Sequence, residues 1–213
     1  MSNVYSIEDD YDLHSKDLEK FAREKNFWNG EGKLNFAQVF QGPSPTTDAR
    51  LKAGRKLLEK LTKNGNFSVF DMISILRDDQ AGIAVDDKTR GVRTTSSQVS
   101  LLTSTNDACH FLTGTPNPKR SVFKPFLFSD HVQLGPLTVS SPTEIQSQGV
   151  HPLYSAHEKT TWEKVDLHRL EEFEHQNIMK ILHRFKASEK IDPKTSKTLF
   201  HDTTAAEIEL LRQ

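Results

Sequence analysis

Three places in this chain hold side chains whose types and spacing suggest chemistry. Cys109 stands beside His110, but neighbours on a strand point to opposite faces, so the imidazole cannot take the thiol proton and the two form no dyad. Cys109 therefore reads as a small buried hydrophobe. Glu172 and His175, with His168 one turn earlier, imitate the carboxylate–histidine spacing of bundle metal sites. At about 100° per residue they lie roughly 140° to 200° around the helix from Leu170, away from Phe173, Ile181 and Phe185. They should face water, and without a second Glu-x-x-His no metal set is completed. The third place is Thr113-Gly114-Thr115-Pro116-Asn117-Pro118-Lys119-Arg120-Ser121. It lacks the order of a phosphate loop, so it reads either as an ordinary turn or as a rigid loop aiming Arg120 at a carboxylate or carbonyl oxygen.

The rest of the composition narrows the function classes. Lys plus Arg total 28 against 29 for Asp plus Glu, a net charge of −1 in 213 residues. No strong field invites nucleic acid or anionic lipid. No stretch approaches the roughly 18 apolar residues of a membrane helix, and the first ten residues carry no secretory pattern. A lone cysteine closes no internal disulfide, which fits a reducing compartment, so a cytoplasmic location is expected. No nucleotide, zinc or hydrolase-elbow motif is present, and no cofactor is expected.

The elements that must position these residues follow from periodicity. Asn3–Ile7 reads as a strand end, and Ser15 precedes a helix with Leu18, Phe21 and Ala22 on one face, ending near Asn26 or Gly30. The short run 34–40 fits strand and helix equally. Asp48 is the expected cap of a helix carrying Leu51, Leu57, Leu58 and Leu61, stopped at Asn64-Gly65. A second helix spans about Ser68 to Arg77, with Phe70, Ile73 and Leu76 buried. Short runs at 99–102, 108–112 and 122–126 predict three successive antiparallel strands. The Gly-, Pro-, Ser- and Thr-rich tract 129–152 reads as a loop or linker. A long helix follows with Leu167, Leu170, Phe173, Ile178, Ile181 and Phe185 on one side, then a short one bearing Ala205, Ile208 and Leu211 with Thr203 or Thr204 as cap. The expected class is α+β, divided as 1–128, a 129–152 linker, and helices over 153–213.

The segments Ser2-Asn3-x-x-Ser6-Ile7 and Asn26-Phe27-Trp28-Asn29-Gly30, the stretch from His110-Phe111-x-Thr113-Gly114 to Lys124-Pro125-Phe126, and His151-Pro152-Leu153-Tyr154 together resemble the C-terminal half of the secernins. That resemblance implies kinship with cysteine dipeptidases of the N-terminal nucleophile hydrolase class and a partial αββα sandwich. It implies a dipeptide or amide substrate, attacked by an N-terminal cysteine whose own amine is the base. Met1-Ser2 does not match such a start, so the chain is expected to be catalytically silent alone.

By the same resemblance Asn3 corresponds to an oxyanion donor, a role worth on the order of 3 kcal/mol in hydrolases. Arg50 corresponds to an arginine that steadies the nucleophile or a substrate carboxylate. The alternatives are an asparagine bonded to backbone and an arginine on a solvated helix face. A rival reading makes the chain an interaction module in regulated secretion, docking a protein partner through its long C-terminal helix. Half a sandwich should also expose strand edges, so dimerisation, aggregation or pairing with a missing half is expected.

Overall fold

Most of the helix starts among the described residues are set by polar side chains, as the computed structural model shows. It describes residues 5–41, 45–87, 89, 91–104, 108–115, 117–128, 132, 135–137, 151–187 and 192–212, with backbone alone at 45–48 and 193–194. These fall into two compact units, Met1–Gly65 with Gln80–Ile83, and Asn66–Asp79 with Ala84–Gln213.

The first unit is helical. Helix α1 (Leu18–Glu24) buries Ala22 and ends where Asn26 adopts φ 55°, a left-handed conformation that asparagine tolerates better than most residues. The ambiguous 34–40 run is helix α2 (Phe36–Phe40), because the Asn35 side chain accepts from Gln38 N–H and caps it. Tyr5–Ile7 form no strand: the Ile7 and Glu8 carbonyls instead accept from Ala37 and Phe36 at the start of α2. Helix α3 (Pro45–Thr62) contains Asp48 in its first turn, so Asp48 is not its cap; Pro45, whose missing N–H costs nothing at a helix start, opens it instead. Gly65 follows at φ 70° and donates to Thr62 O, the stop expected of Asn64-Gly65.

The second unit is a small sheet between helices. Helix α4 (Val69–Leu76) begins with a capping box, the Ser68 hydroxyl accepting from Asp71 N–H while Asp71 accepts from Ser68 N–H. A two-residue ladder joins β1 (Asp86–Asp87) to β2 (Val92–Arg93). Then β3 (Gln98–Leu102), β4 (Ala108–Leu112) and β5 (Lys124–Phe126) pair antiparallel in sequence order, as the three apolar runs predicted. Helices α5 (Pro152–Lys159), α6 (Leu167–Lys186) and α7 (Pro193–Leu210) complete it. The last is far longer than the sequence suggested: Asp192 caps it, while Thr203 and Thr204 lie inside, bonded to the carbonyls of Leu199 and Phe200. Hydroxyls inside a helix can bond back to the preceding turn, which is how these threonines are buried without ending it.

Strand alternation sends Val99, Cys109 and Phe111 to one face, where they pack with Val69 and Ile73 of α4 and Ile178 and Ile181 of α6. The other face of β5 meets α7, Phe126 packing edge-on against Phe200 at 5.7 Å. The α+β class is therefore plain, with the sheet and the C-terminal helices in one unit. The 129–152 tract lies mostly outside the described residues. Among these, no helix is long and apolar enough to cross a membrane.

Candidate functional site

The residues just before β5 have no ladder partner, and two carboxylates supply what their amides need. Val122 N–H donates to Glu207 Oε1 at 3.0 Å and Phe123 N–H donates to Glu174 Oε2 at 2.6 Å. One glutamate comes from α7 and the other from α6, so consecutive amides tie two helices to the same strand.

Each carboxylate holds a cation. Lys124 Nζ donates to Glu207 Oε2 at 2.6 Å, and its other two protons go to Thr113 O at 2.6 Å and Val122 O at 2.8 Å. Lys124 and Glu207 are both 0% exposed. His157 Nε2, from α5, lies 3.0 Å from Glu207 Oε1, where an ionised carboxylate can only accept, so this nitrogen carries the proton. Glu174 is gripped in two-point fashion by Arg77, the residue that ends α4, with both contacts at 2.8 Å. The same guanidinium donates from Nε to Pro118 O at 2.8 Å and from a terminal nitrogen to Ser121 O at 2.9 Å, and lies over the Phe123 ring.

The two carboxyls respond in opposite directions. Burial pushes Glu207 up, but Lys124 and His157 more than reverse this and leave it below its ordinary value. Burial also pushes Glu174 up, and here the single arginine, aided by the Phe123 amide, does not fully offset it, so the carboxyl stays above its ordinary value. Glu207 has Lys124 and a hydrogen bond from His157, whereas Glu174 has Arg77 and the Phe123 amide and also feels the like charge of Glu207, which accounts for the difference.

The loop Thr113–Ser121 forms the rim of this layer. Asn117 adopts φ 63°, accepts from Lys119 N–H, and its amide donates to Asp86 at 3.2 Å. Thr115 and Ser121 share a buried hydroxyl contact. Arg93 joins three elements, donating to Asp86 at 2.8 Å, Tyr154 at 3.2 Å and Glu158 at 2.9 Å. Arg120 places its guanidinium 5.1 Å over the Trp162 ring, and the His157 ring lies 5.2 Å from the same ring.

Chemically this is a clasp. Lys124 has all three protons engaged and keeps no lone pair for attack, and among the described residues no buried side-chain nitrogen or oxygen lacks a partner. Nor do these residues gather three or more His, Cys, Asp or Glu groups in a position to hold a metal.

The residues expected from the sequence are dispersed. Asn3 lies outside the described residues. Arg50 sits half-buried in α3 of the first unit, beside Gly82, and Arg120 belongs to the second. Cys109 is wholly buried on β4, and burial pushes its thiol up to about 12, while His110 turns to the opposite face and meets Ser100 Oγ at 2.9 Å. Glu172, His175 and His168 are exposed, His175 stacking on Phe70.

Sequence reasoning passed over Arg77, Lys124, His157, Glu174 and Glu207. Two of these carried a readable signal, a charge falling on an apolar stripe. Glu174 is one turn from both Leu170 and Ile178, and Glu207 stands among Thr203, Thr204, Ile208 and Leu211, all buried. A carboxylate on such a stripe requires a buried cation, and Lys124 between Phe123 and Pro125 was the available one.

No family model matches the chain, and no solved structure matches it.

Proposed function

We propose that this is a secernin-like protein of the cysteine dipeptidase type, in which the present residues supply fold and substrate-side groups of an amide hydrolase. The observation that carries the reading is the stretch from His110 to Phe126, the longest of the segments that resemble the secernins. Several of its side chains are fixed by structural contacts: Thr113 accepts from Ser97 N–H, Thr115 meets Ser121, Asn117 donates to Asp86 and Lys124 donates to Glu207. Thr113 O and Val122 O hold Lys124, Asn117 turns the loop, and Ser121 O receives Arg77. A segment under that many simultaneous constraints supports reading its resemblance as shared descent.

In this proposal the sheet is part of an N-terminal nucleophile hydrolase sandwich. Arg120 contributes to recognition of a substrate carboxylate, and Asn3 and Arg50 serve the oxyanion and the nucleophile. The only cysteine, Cys109, is excluded as nucleophile by its burial and by a thiol pushed up to about 12, since thiolate is the attacking form. A cytoplasmic setting follows from the same proposal.

The test uses the purified chain alone and after coexpression with the N-terminal half of a secernin. The expected result is no amino acid release from dipeptides by the chain itself, a stable complex with the added half, and dipeptide turnover weakened by Arg120→Ala. Turnover by the isolated chain that persists in Cys109→Ala, or failure to associate with the added half, would overturn the proposal. The rival docking role through α6 is not favoured, because its apolar stripe is covered: Ile178 and Ile181 are buried in the core beneath the sheet.

A further inference from the structure

Among the described residues no strand pairs with the outer edge of β3, and its backbone geometry specifies what it can pair with. Thr113 N–H donates to Ser97 O at 3.0 Å, extending the β3–β4 register by one residue. In an antiparallel ladder such bonded positions alternate, so Val99 and Leu101 also bond towards β4, while the N–H and C=O groups of Gln98, Ser100 and Leu102 point away from it. Among the described residues these outward groups have no partner, and β3 pairs with β4 alone.

Edge strands in monomers are commonly blunted by lysine, proline, a bulge or a covering segment. β3 has none of the first three: Gln98-Val99-Ser100-Leu101-Leu102 carries no charge and no proline, and residues 94–106 contain no Asp, Glu, Lys or Arg. The solvent-side positions Gln98, Ser100 and Leu102 are all exposed, Leu102 at 71%.

We infer that this edge pairs with β3 of a second copy of the chain, antiparallel about a two-fold axis at Ser100. In that register Ser100 meets its own copy as a bonded pair, and Gln98 meets Leu102 of the second copy on either side. All three outward-facing positions of each strand are then satisfied, and no other centre pairs all of them. Residues opposite one another in an antiparallel ladder share a face, so Val99 meets Leu101 of the other copy on the core side. A two-fold axis perpendicular to the sheet keeps the core face of both copies on the same side, giving one six-stranded sheet. Electrostatics agree, since an edge pairing with itself must place any charge near its own copy, and this edge carries none. Contact through one strand is at the small end of interface sizes, so dissociation is expected on the order of 10 µM.

The experiment is sedimentation velocity on the full chain from about 1 to 200 µM, a range that brackets that value. A reversible monomer–dimer equilibrium is expected, weakened at least about tenfold by Ser100→Pro, which removes the outward N–H and the Ser100 Oγ contact with His110 but none of the backbone bonds to β4. Leu102→Lys, a change at an exposed side chain, should weaken it as well and keeps the test valid if the proline variant folds poorly. Register is read by cysteine linkage. Ser100→Cys should form a covalent dimer on mild oxidation, whereas Gln98→Cys should not, because the two copies of position 98 lie on the order of 13 Å apart, beyond disulfide reach. Cys109 is buried and does not compete. A chain that stays monomeric throughout, a dimer unaffected by both substitutions, or equal linkage through positions 98 and 100 would overturn the inference. The hydrolase proposal stands or falls separately, on dipeptide turnover.

Discussion

Glu207→Gln removes one charge from the most deeply buried ion pair described in the molecule. The amide keeps the shape and can still accept from Lys124 or Val122, but the Lys124 ammonium is left without a counter-charge at 0% exposure. Removing one partner of such a pair costs about 3–5 kcal/mol, because the remaining ion stays desolvated. Against a typical total of about 5–15 kcal/mol this is a large share. At about 2–4 °C per kcal/mol for a chain of this size, the melting midpoint should fall by about 6–20 °C. The double variant Lys124→Met with Glu207→Leu should not recover that loss: it removes both charges, but it strands Val122 N–H, the His157 N–H and the carbonyls of Thr113 and Val122 in the interior. The pH dependence has a fixed sign. Glu207 lies below its ordinary value of 4.5 in the fold, so its contribution is present above that pH and is lost as pH falls through the depressed value. The gap between the natural chain and Glu207→Gln should therefore narrow in acid. Chemical denaturation at neutral pH and near pH 3 measures both effects. A neutral-pH loss under about 1 kcal/mol, or a gap that widens in acid, would refute a buried, ionised Lys124–Glu207 pair.

Cys109 should resist iodoacetamide and disulfide reagents in the native chain at neutral pH and react once denaturant is added; rapid native labelling would contradict its burial and raised thiol pKa. Truncation after Gly149 removes Ile178 and Ile181 from the core and both carboxylates from the clasp, so the remainder should lose its cooperative melt; a folded truncate would show that α6 is an accessory. Ser68→Ala deletes the capping box of α4 and should lower stability by about 0.5–2 kcal/mol in urea titration, with Ser68→Thr, which keeps the hydroxyl that bonds Asp71, recovering most of it.

Much of the local structure was legible because local signals decide it. The three strand runs are short and bounded by turns, and Ser68, Gly65 and Asn26 act within a few residues of themselves, through a side-chain cap or a left-handed backbone. The adjacency of Cys109 and His110 on one strand already ruled out a dyad, whatever the fold. Local signals also misled where two of them competed. Asp48 and the pair Thr203-Thr204 are good caps by residue type, but Pro45 and Asp192 start those helices earlier and leave the expected caps in their interiors.

The α+β class, the order of the strands and the solvated face of Glu172 and His175 thus follow from residue order alone. The meeting of Arg77 with Glu174, and of Lys124 and His157 with Glu207, does not, because these partners are separated by 97, 83 and 50 positions. No periodicity extends over such distances. The stripe pattern can show that a glutamate is buried, but which cation neutralises it depends on how helices from different parts of the chain come to rest against β5. Whether that carboxyl titrates above or below its ordinary value depends on which hydrogen-bond donors, cations and like charges arrive there.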